Sequence, residues 1–404
     1  MKAGWVRKKL GDVTTKIGSG ATPLGGEEAY KTSGISLIRS LNVYDDGFRD
    51  RKLARIDEEQ AARLSNVVVE VGDVLLNITG ASVARCCVAP GDFLPARVNQ
   101  HVAIIRPIRH MLDSALLHYL LTSRSCKDRL LHTGEEGGST RQAITKAQLQ
   151  DFSIEFPESL PEQQRIVTLI DEAFDGIATA RANAEQNLQN ARAIFESHLQ
   201  SVFTQRGDGW EDKTLEQIST TFGRGKSRHR PRNEPKLYGG KYPFIQTGDI
   251  RNAGHFITEY SQTYSELGLA QSKLWPKGTI CITIAANIAE TGILGFDACF
   301  PDSVIGVVPN PAEAEVGFVE YLLQSFKVRI QALGQGSAQA NINMGTFENE
   351  RFPFPPVTKQ RQIVAKLDGL SEQTQRLESI YQRKLAALDD LKKSLLHWAF
   401  SGQL

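Results

Sequence analysis

Apolar residues recur at alternating spacings of three and four along two stretches of the chain. The first runs Ile166, Ile170, Ala173, Ile177, Ala180, Ala184, Leu188, Ala191, Phe195, Leu199 and Val202; the second runs Ile363, Leu367, Leu370, Thr374, Leu377, Tyr381, Leu385, Leu388, Leu391, Leu395 and Trp398. That spacing is the seam of a coiled coil. Each stretch predicts a helix of about 40 residues, roughly 60 Å at about 1.5 Å per residue. Each follows a proline signal, Leu160-Pro161 or Pro355-Pro356. Proline before or inside the first turn presets φ and gives up only a donor that has no partner there, so both signals mark helix starts. If the seams pack together, connectivity makes an antiparallel pair the simplest arrangement, with one globular domain at each end. The other reading lets each helix lie on its own domain as an amphipathic surface helix.

Elsewhere the pattern shortens. Val67 to Val71, Val74 to Ile78 and Val102 to Ile105 are β-branched or apolar runs and predict strands of a mixed sheet. One short helix per half is expected, near Leu116 to Leu131 and Val316 to Leu333. Long polar loops separate these elements, and loops on a rigid scaffold are where binding residues usually sit.

The two halves are versions of one another. Trp5, Lys8, Leu10, Thr15, Gly18 and Gly20 recur, without a gap, as Trp210, Lys213, Leu215, Thr220, Gly223 and Gly225. Ile38 to Val43 then matches Ile245 to Ile250, Gly72 to Ile78 matches Gly278 to Ile284, and Tyr119-Leu-Leu121 matches Tyr321-Leu-Leu323. An internal repeat that closes each time with a long helix predicts an α+β chain. Its two pseudo-symmetric globular domains, 1–159 and 207–357, are separated by two long antiparallel coiled-coil helices, 160–206 and 358–404.

Charge adds little at the scale of the whole chain. Lys plus Arg number 47 and Asp plus Glu 46, so any surface for a polyanion must be local. The five cysteines include no Cys-x-x-Cys pair, which argues for buried thiols rather than a zinc site or a disulfide framework. No apolar run approaches the ~20 residues of a membrane span, and the amino terminus has no signal-peptide core, so a cytoplasmic protein is expected.

Catalytic constellations are missing from the sequence. Thr220 to Ser227 ends like a phosphate-binding loop but has Thr220 where the motif needs glycine. Phe222-Gly-Arg-Gly225 lacks the strand, helix and downstream acid of a dinucleotide site. No histidine pair is spaced like zinc ligands on a helix face, so His101, His118 and His198 are expected to be structural. Asn-Pro-Pro-aromatic, expected of an amino-methyltransferase, does not occur.

Binding chemistry is present. Arg224, Lys226, Arg228, Arg230 and Arg232 occupy alternate positions with no acid among them. An arginine fork can bond phosphate oxygens or guanine O6 and N7 in pairs, and Gly223 and Gly225 would let the backbone approach DNA closely. The matching loop of the first half, which carries Ser19 and Thr22, is nearly uncharged. Further polar candidates fall at matching places: Arg39, Ser40 and Asn42 against Gln246, Thr247 and Asp249; Thr79, Ser82 and Asn99 in the first half and Asn287 in the second. A last cluster sets Ser139, Thr140, Arg141 and Gln142 against Ser337, Gln339 and Asn341. Two copies of one scaffold with unlike loops suit an asymmetric site; identical loops would suit a palindrome. Any single one of these residues can equally cap a turn.

The paired junctions Leu160-Pro-Glu-Gln-Gln-Arg-Ile-Val167 and Val357-Thr-Lys-Gln-Arg-Gln-Ile-Val364, with the ending Lys393 to Leu404, resemble the specificity subunits of type I restriction-modification systems over essentially the whole chain. Lys359 stands where Glu162 stands in the first junction. The resemblance implies a non-catalytic subunit that binds double-stranded DNA at a bipartite asymmetric site, one half per domain. The helices would set the spacer and dock two methyltransferase subunits. Those partners would bring S-adenosylmethionine for adenine N6 methylation; two restriction subunits would bring ATP, Mg and translocation; this chain itself would bind no cofactor or metal. A bipartite DNA-binding module of another phage-defence or orphan methylation complex is the alternative, and a fused methyltransferase is the reading from a different class.

Overall fold

A computed structural model describes residues 2–135, 143–228, 231–285, 287–333 and 342–401. Contacts divide the chain into two compact units, Met1–Glu185 with Arg383–Leu404, and Gln186–Gln382, so each unit holds about half of each long helix. The helices themselves run Leu160–Thr204 and Val357–Ser401, 45 residues each.

In the first unit the strand Trp5–Lys9 pairs antiparallel with Ser153–Pro157. One four-stranded sheet has the order Thr14–Ser19, Val102–Pro107, Val74–Asn77, Cys86–Val88, and a second has the order Ala54–Ile56, Ile35–Ile38, Ala96–Val98, Val68–Val69. The runs Val67 to Val71 and Val74 to Ile78, expected in one mixed sheet, are thus parted by the turn at Gly72 (φ +86°) and belong to different sheets.

The second unit repeats this plan. Glu211–Lys213 pairs with Phe352–Phe354. Ser219–Arg224, Val304–Pro309, Ile280–Thr283 and Thr291–Leu294 keep the first sheet's order and add Phe256–Ile257 at the edge, while Gln262–Tyr264, Tyr238–Phe244, Ala298–Cys299 and Leu274–Trp275 form the other sheet. Even the single parallel pairing of the second sheet recurs, Ala96–Val98 on Ile35–Ile38 and Cys299 on Phe244.

Each expected short helix is two, Ser114–Thr122 and Arg124–Glu135 in the first unit, Val316–Ser325 and Lys327–Leu333 in the second. In the first unit the break falls at Ser123, whose extended backbone leaves the helix while its hydroxyl donates back to the Leu120 carbonyl at 2.6 Å.

The long helices are anchored by the same devices in both units. Gln163 is fully buried, donates from Nε2 to the carbonyls of Met111 (2.9 Å) and Pro157 (2.8 Å), and accepts from the Asp113 amide (2.8 Å). Gln360 does the same with Glu313, Pro355 and Glu315 at 3.1, 2.8 and 2.8 Å. Tyr119 donates to Asp171, and Tyr321 to Asp368 at 2.8 Å. Glu162, by contrast, is half-buried and pairs with Arg165 rather than with these backbone groups, so Lys359 at the second junction breaks no such anchor.

Within the first unit Arg181 meets Asp389, and within the second Arg192 meets Glu378 at 2.8 Å. In the first unit Lys392 also lies over the Phe174 ring, so numbers rise along one helix as they fall along the other and the two segments run antiparallel. The early seam positions Ile166, Ile170, Ile363 and Leu367 are buried and join the globular cores. Three later ones depart from expectation: Leu377, Leu391 and Trp398 are 39, 40 and 41 % exposed, while Leu396 and Ala399 are buried. A straight α-helix drifts about 20° per heptad, so over about five heptads from Ile363 the buried stripe moves by roughly one residue. The five cysteines are all buried, and burial pushes the Cys87 thiol up to about 12.

Candidate nucleic-acid interface

Among the described residues no group of His, Cys, Asp and Glu could hold a metal ion, and no helix is long and apolar enough to cross a membrane.

In the first unit the strand Thr14–Ser19 runs out into a loop, and Gly20 bonds the Asn99 carbonyl at 3.1 Å. That bond brings the loop to the turn before the strand Val102–Pro107 and builds a chain of side-chain bonds. Thr22 Oγ1 donates to Gln100 Oε1 (2.5 Å), Gln100 Nε2 meets His101 Nε2 (3.1 Å), and His101 Nδ1 meets Thr79 Oγ1 (2.5 Å). With the Gln100 amide donating, His101 Nε2 is the acceptor and Nδ1 faces the Thr79 hydroxyl. Asn99 is buried and its Oδ1 accepts from the His101 amide at 3.0 Å. Thr22, Thr79 and Asn99 are thus gathered in one place, and Gln100 and His101, which the sequence did not offer as readers, sit between them. Ser82 closes the short turn Gly80–Ser82 further along the same connection.

The second unit builds the equivalent place from charge. Ile78 bonds the His101 carbonyl at 3.0 Å as Ile284 bonds that of Ser303 at 3.0 Å, so Gln100 and Asp302 occupy matching positions. Arg224 Nε donates to the Asp302 carbonyl at 2.7 Å, and Arg232 Nη2 donates to both Asp302 carboxylate oxygens at 2.9 and 2.8 Å. Lys226 and Arg228 are exposed; the Lys226 carbonyl accepts from Ser272, and the Arg228 amide donates to Gln271 at 2.6 Å. Lys273 lies over the Trp275 ring at 3.6 Å, and burial followed by the neighbouring Lys226 charge lowers its pKa.

Several candidates are fixed elsewhere. Asn42 is fully buried: its Oδ1 accepts from the Arg39 amide and its Nδ2 donates to the Arg49 carbonyl. Asp249 caps the matching turn by accepting from the Gln246 amide at 2.8 Å. Asn42 thus spends both polar atoms on backbone that would otherwise be unpaired, whereas Asp249, half-buried, commits Oδ2 to the cap. Arg39 is also committed, to Glu27 Oε1 (2.9 Å), the Lys52 carbonyl (2.8 Å) and the Tyr30 ring, so it ties down the loop that carries Thr22. The Gln246 side chain donates to Gln262 at 2.7 Å. Thr247 opens the helix Thr247–Asn252, half-buried, and the Asn287 carbonyl accepts from Thr283. Gly225 serves its own fold: a Cβ there would stand 2.3 Å from the Phe300 carbonyl oxygen, so the close approach it permits is to its own domain, whereas Gly223 has nothing within 4 Å. Ser139, Thr140, Arg141, Gln142, Arg230, Ser337, Gln339 and Asn341 lie outside the described residues. Ala143, which follows the first of those segments, bridges Thr79.

A family model described as the type I restriction modification DNA specificity domain matches this chain twice, over residues 2–189 and 207–385. The putative type I restriction enzyme MjaX specificity subunit of Methanocaldococcus jannaschii is 20% identical over 416 residues, covering 99% of this chain and 93% of that one. The type I restriction enzyme EcoKI specificity subunit of Escherichia coli is 23% identical over 429 residues, covering 99% and 89%. The fold matches a chain from a structure of the type I R-M system at a TM-score of 0.80 with 19% identity, covering 100% of this chain and 99% of that one. The HsdS subunit from Thermoanaerobacter tengcongensis matches at 0.70 with 20% identity, covering 100% and 98%. With two specificity domains in one polypeptide, each built on the same sheets and carrying the same glutamine-anchored helix, the chain belongs to the family of type I restriction-modification DNA specificity subunits.

Proposed function

We propose that this subunit reads a bipartite, asymmetric duplex, with domain 1–159 recognising one half and domain 207–357 the other, and helices 160–206 and 358–404 setting the spacer between them. The observation that carries the reading is the contrast at one equivalent place: a neutral Thr22–Gln100–His101–Thr79 network in one unit, and Arg224 and Arg232 on Asp302 in the other. Equal scaffolds with unequal chemistry are what two different half-sites require. The chain is a non-catalytic member of its family and binds no cofactor itself. Two methyltransferase subunits with S-adenosylmethionine and two restriction subunits with ATP and Mg complete the assembly in this reading, in the cytoplasm. Leu391 and Trp398 in the first unit, and Leu377 and Ile380 in the second, remain 39 to 41 % exposed on the second long helix, which supports docking of the methyltransferase subunits there. Methylome sequencing of a host carrying this gene with its partners tests the whole reading: a gapped, non-palindromic adenine-methylated motif is expected, and a palindromic one would refute it.

Two further outcomes separate the parts. Inserting one heptad, about 10 Å of helix, into each long helix should lengthen the gap and leave both half-sites unchanged; an altered half-site with an unchanged gap refutes the ruler. Replacing Arg224, Lys226 and Arg228 together by Ala should weaken DNA binding and flatten the slope of log K against log salt by about 0.9 for each phosphate that the variant no longer neutralises. A slope equal to the parent's removes that loop from the interface.

A further inference from the structure

A carboxylate in the middle of a basic surface is a cost if that surface only holds phosphate. Asp302 is such a group. Its carbonyl takes Arg224 Nε at 2.7 Å and its carboxylate straddles Arg232 Nη2 at 2.9 and 2.8 Å. The Arg232 and Asp302 side chains are 50 and 38 % exposed, and an ion pair that open adds little to stability. Stability therefore does not account for it. What the arrangement does accomplish is geometric: one residue orients two guanidinium groups, and neither is bound to Asp302 through its whole donor set. A fork already held in place loses less freedom on binding and can present two donors to guanine O6 and N7 in a defined direction. The negative charge beside it repels phosphate and so disfavours the non-specific mode, which is the unfavourable element that discrimination often needs.

The first unit places a neutral residue at the matching position. Gln100 accepts from Thr22 and meets His101, whose other nitrogen meets Thr79. One position in each domain thus links the loop leaving the first sheet strand to the residues beside it, with neutral hydrogen-bonding chemistry in one copy and ionic chemistry in the other.

We propose that Asp302 and Gln100 are the positioning residues for sequence specificity in their respective half-sites: Asp302 aims Arg224 and Arg232 at base edges, and Gln100 aims Thr22 and His101. This rests on the reading of the chain as a two-half-site DNA subunit. The test uses the full-length chain and selection from a pool of random duplexes, followed by affinity measurements on the selected duplex and on a scrambled one.

Asp302→Asn should lower discrimination about tenfold or more at one or more bases of a single half-site, leave the other half-site unchanged, and raise affinity for the scrambled duplex. Gln100→Ala should relax only the other half-site. The double variant Asp302→Asn with Arg232→Ala should lose no more discrimination than Arg232→Ala alone, because the acid acts through the arginine. Melting temperatures should match the parent's, which separates positioning from a merely structural role. Unchanged half-sites in Asp302→Asn, or equal relaxation of both, overturns the proposal while leaving the two-half-site reading in place. A parent chain that enriches no gapped motif overturns that reading, and this proposal with it.

Discussion

Gly20→Ala is expected to cost about 3 kcal/mol or more and to abolish recognition by the first domain alone. A Cβ at Gly20 would stand 1.8 Å from the Val98 carbonyl oxygen and 3.0 Å from Val67 Cγ2. Neither neighbour can yield cheaply, since Val98 is fully buried and hydrogen-bonded within its sheet. Relief requires the loop to lift away, which breaks the Gly20–Asn99 bond and separates Thr22 from Gln100. Overpacking of this kind costs about 1–3 kcal/mol, and a stranded buried polar group adds about as much again. Gly225→Ala should do the same in the second domain, where the added carbon would meet the Phe300 and Pro301 carbonyls at 2.3 and 2.4 Å. Gly18→Ala and Gly223→Ala are the controls: nothing lies within 4 Å of either and neither has a positive φ, so they should stay within about 0.5 kcal/mol of the parent. Urea titration and half-site selection measure both effects. Equal losses from Gly18→Ala and Gly20→Ala would show that the loop tolerates displacement.

Gln163→Ala and Gln360→Ala are the second pair, each expected to destabilise its own unit by about 2–4 kcal/mol. Each amide satisfies three backbone groups at the junction between a long helix and its domain. Truncation strands those groups, and each one left unpaired and buried costs about 1–3 kcal/mol where water cannot replace the bond. Gln→Glu at either position keeps an acceptor for the amide but faces two carbonyls with no donor, so it should be no milder at neutral pH. Glu162→Lys and Lys359→Glu, one residue away, should change stability by less than about 1 kcal/mol because Glu162 pairs with the exposed Arg165 and Lys359 is itself exposed. A denaturation series over these four positions reads the contrast directly; a large effect at Glu162 with none at Gln163 would reverse the assignment of the junction.

Both predictions concern residues visible in the sequence as a pattern but not as a mechanism. The Gly-x-Gly pairs 18/20 and 223/225 were legible as a repeat, yet only proximity to the opposing strand separates the obligatory second glycine from the dispensable first. The Gln of the helix junction was visible as a shared letter, and its burial explains why it recurs while the neighbouring Glu does not. The candidate site was less legible still. Asn42 has the right chemistry for base edges but spends it on a turn, and Gln100 and Asp302, which link each loop to its neighbours, carry no local signal. Capping and base reading use the same side chains, so composition cannot tell them apart.

What the sequence determined by itself was whatever depends on near neighbours along the chain: the twofold repetition, the two long helices, the proline-led starts and the unequal charge of the two loops. Periodicity is a local property, and helix formation follows from it directly. Tertiary structure alone decided the division of strands between two sheets, the point where the seam drifts from Trp398 to Ala399, and the meeting of residues about 80 apart in Thr22–Gln100 and Arg224–Asp302. Those pairings rest on non-local backbone pairing, in which a side chain's partner is set by sheet register rather than by sequence distance.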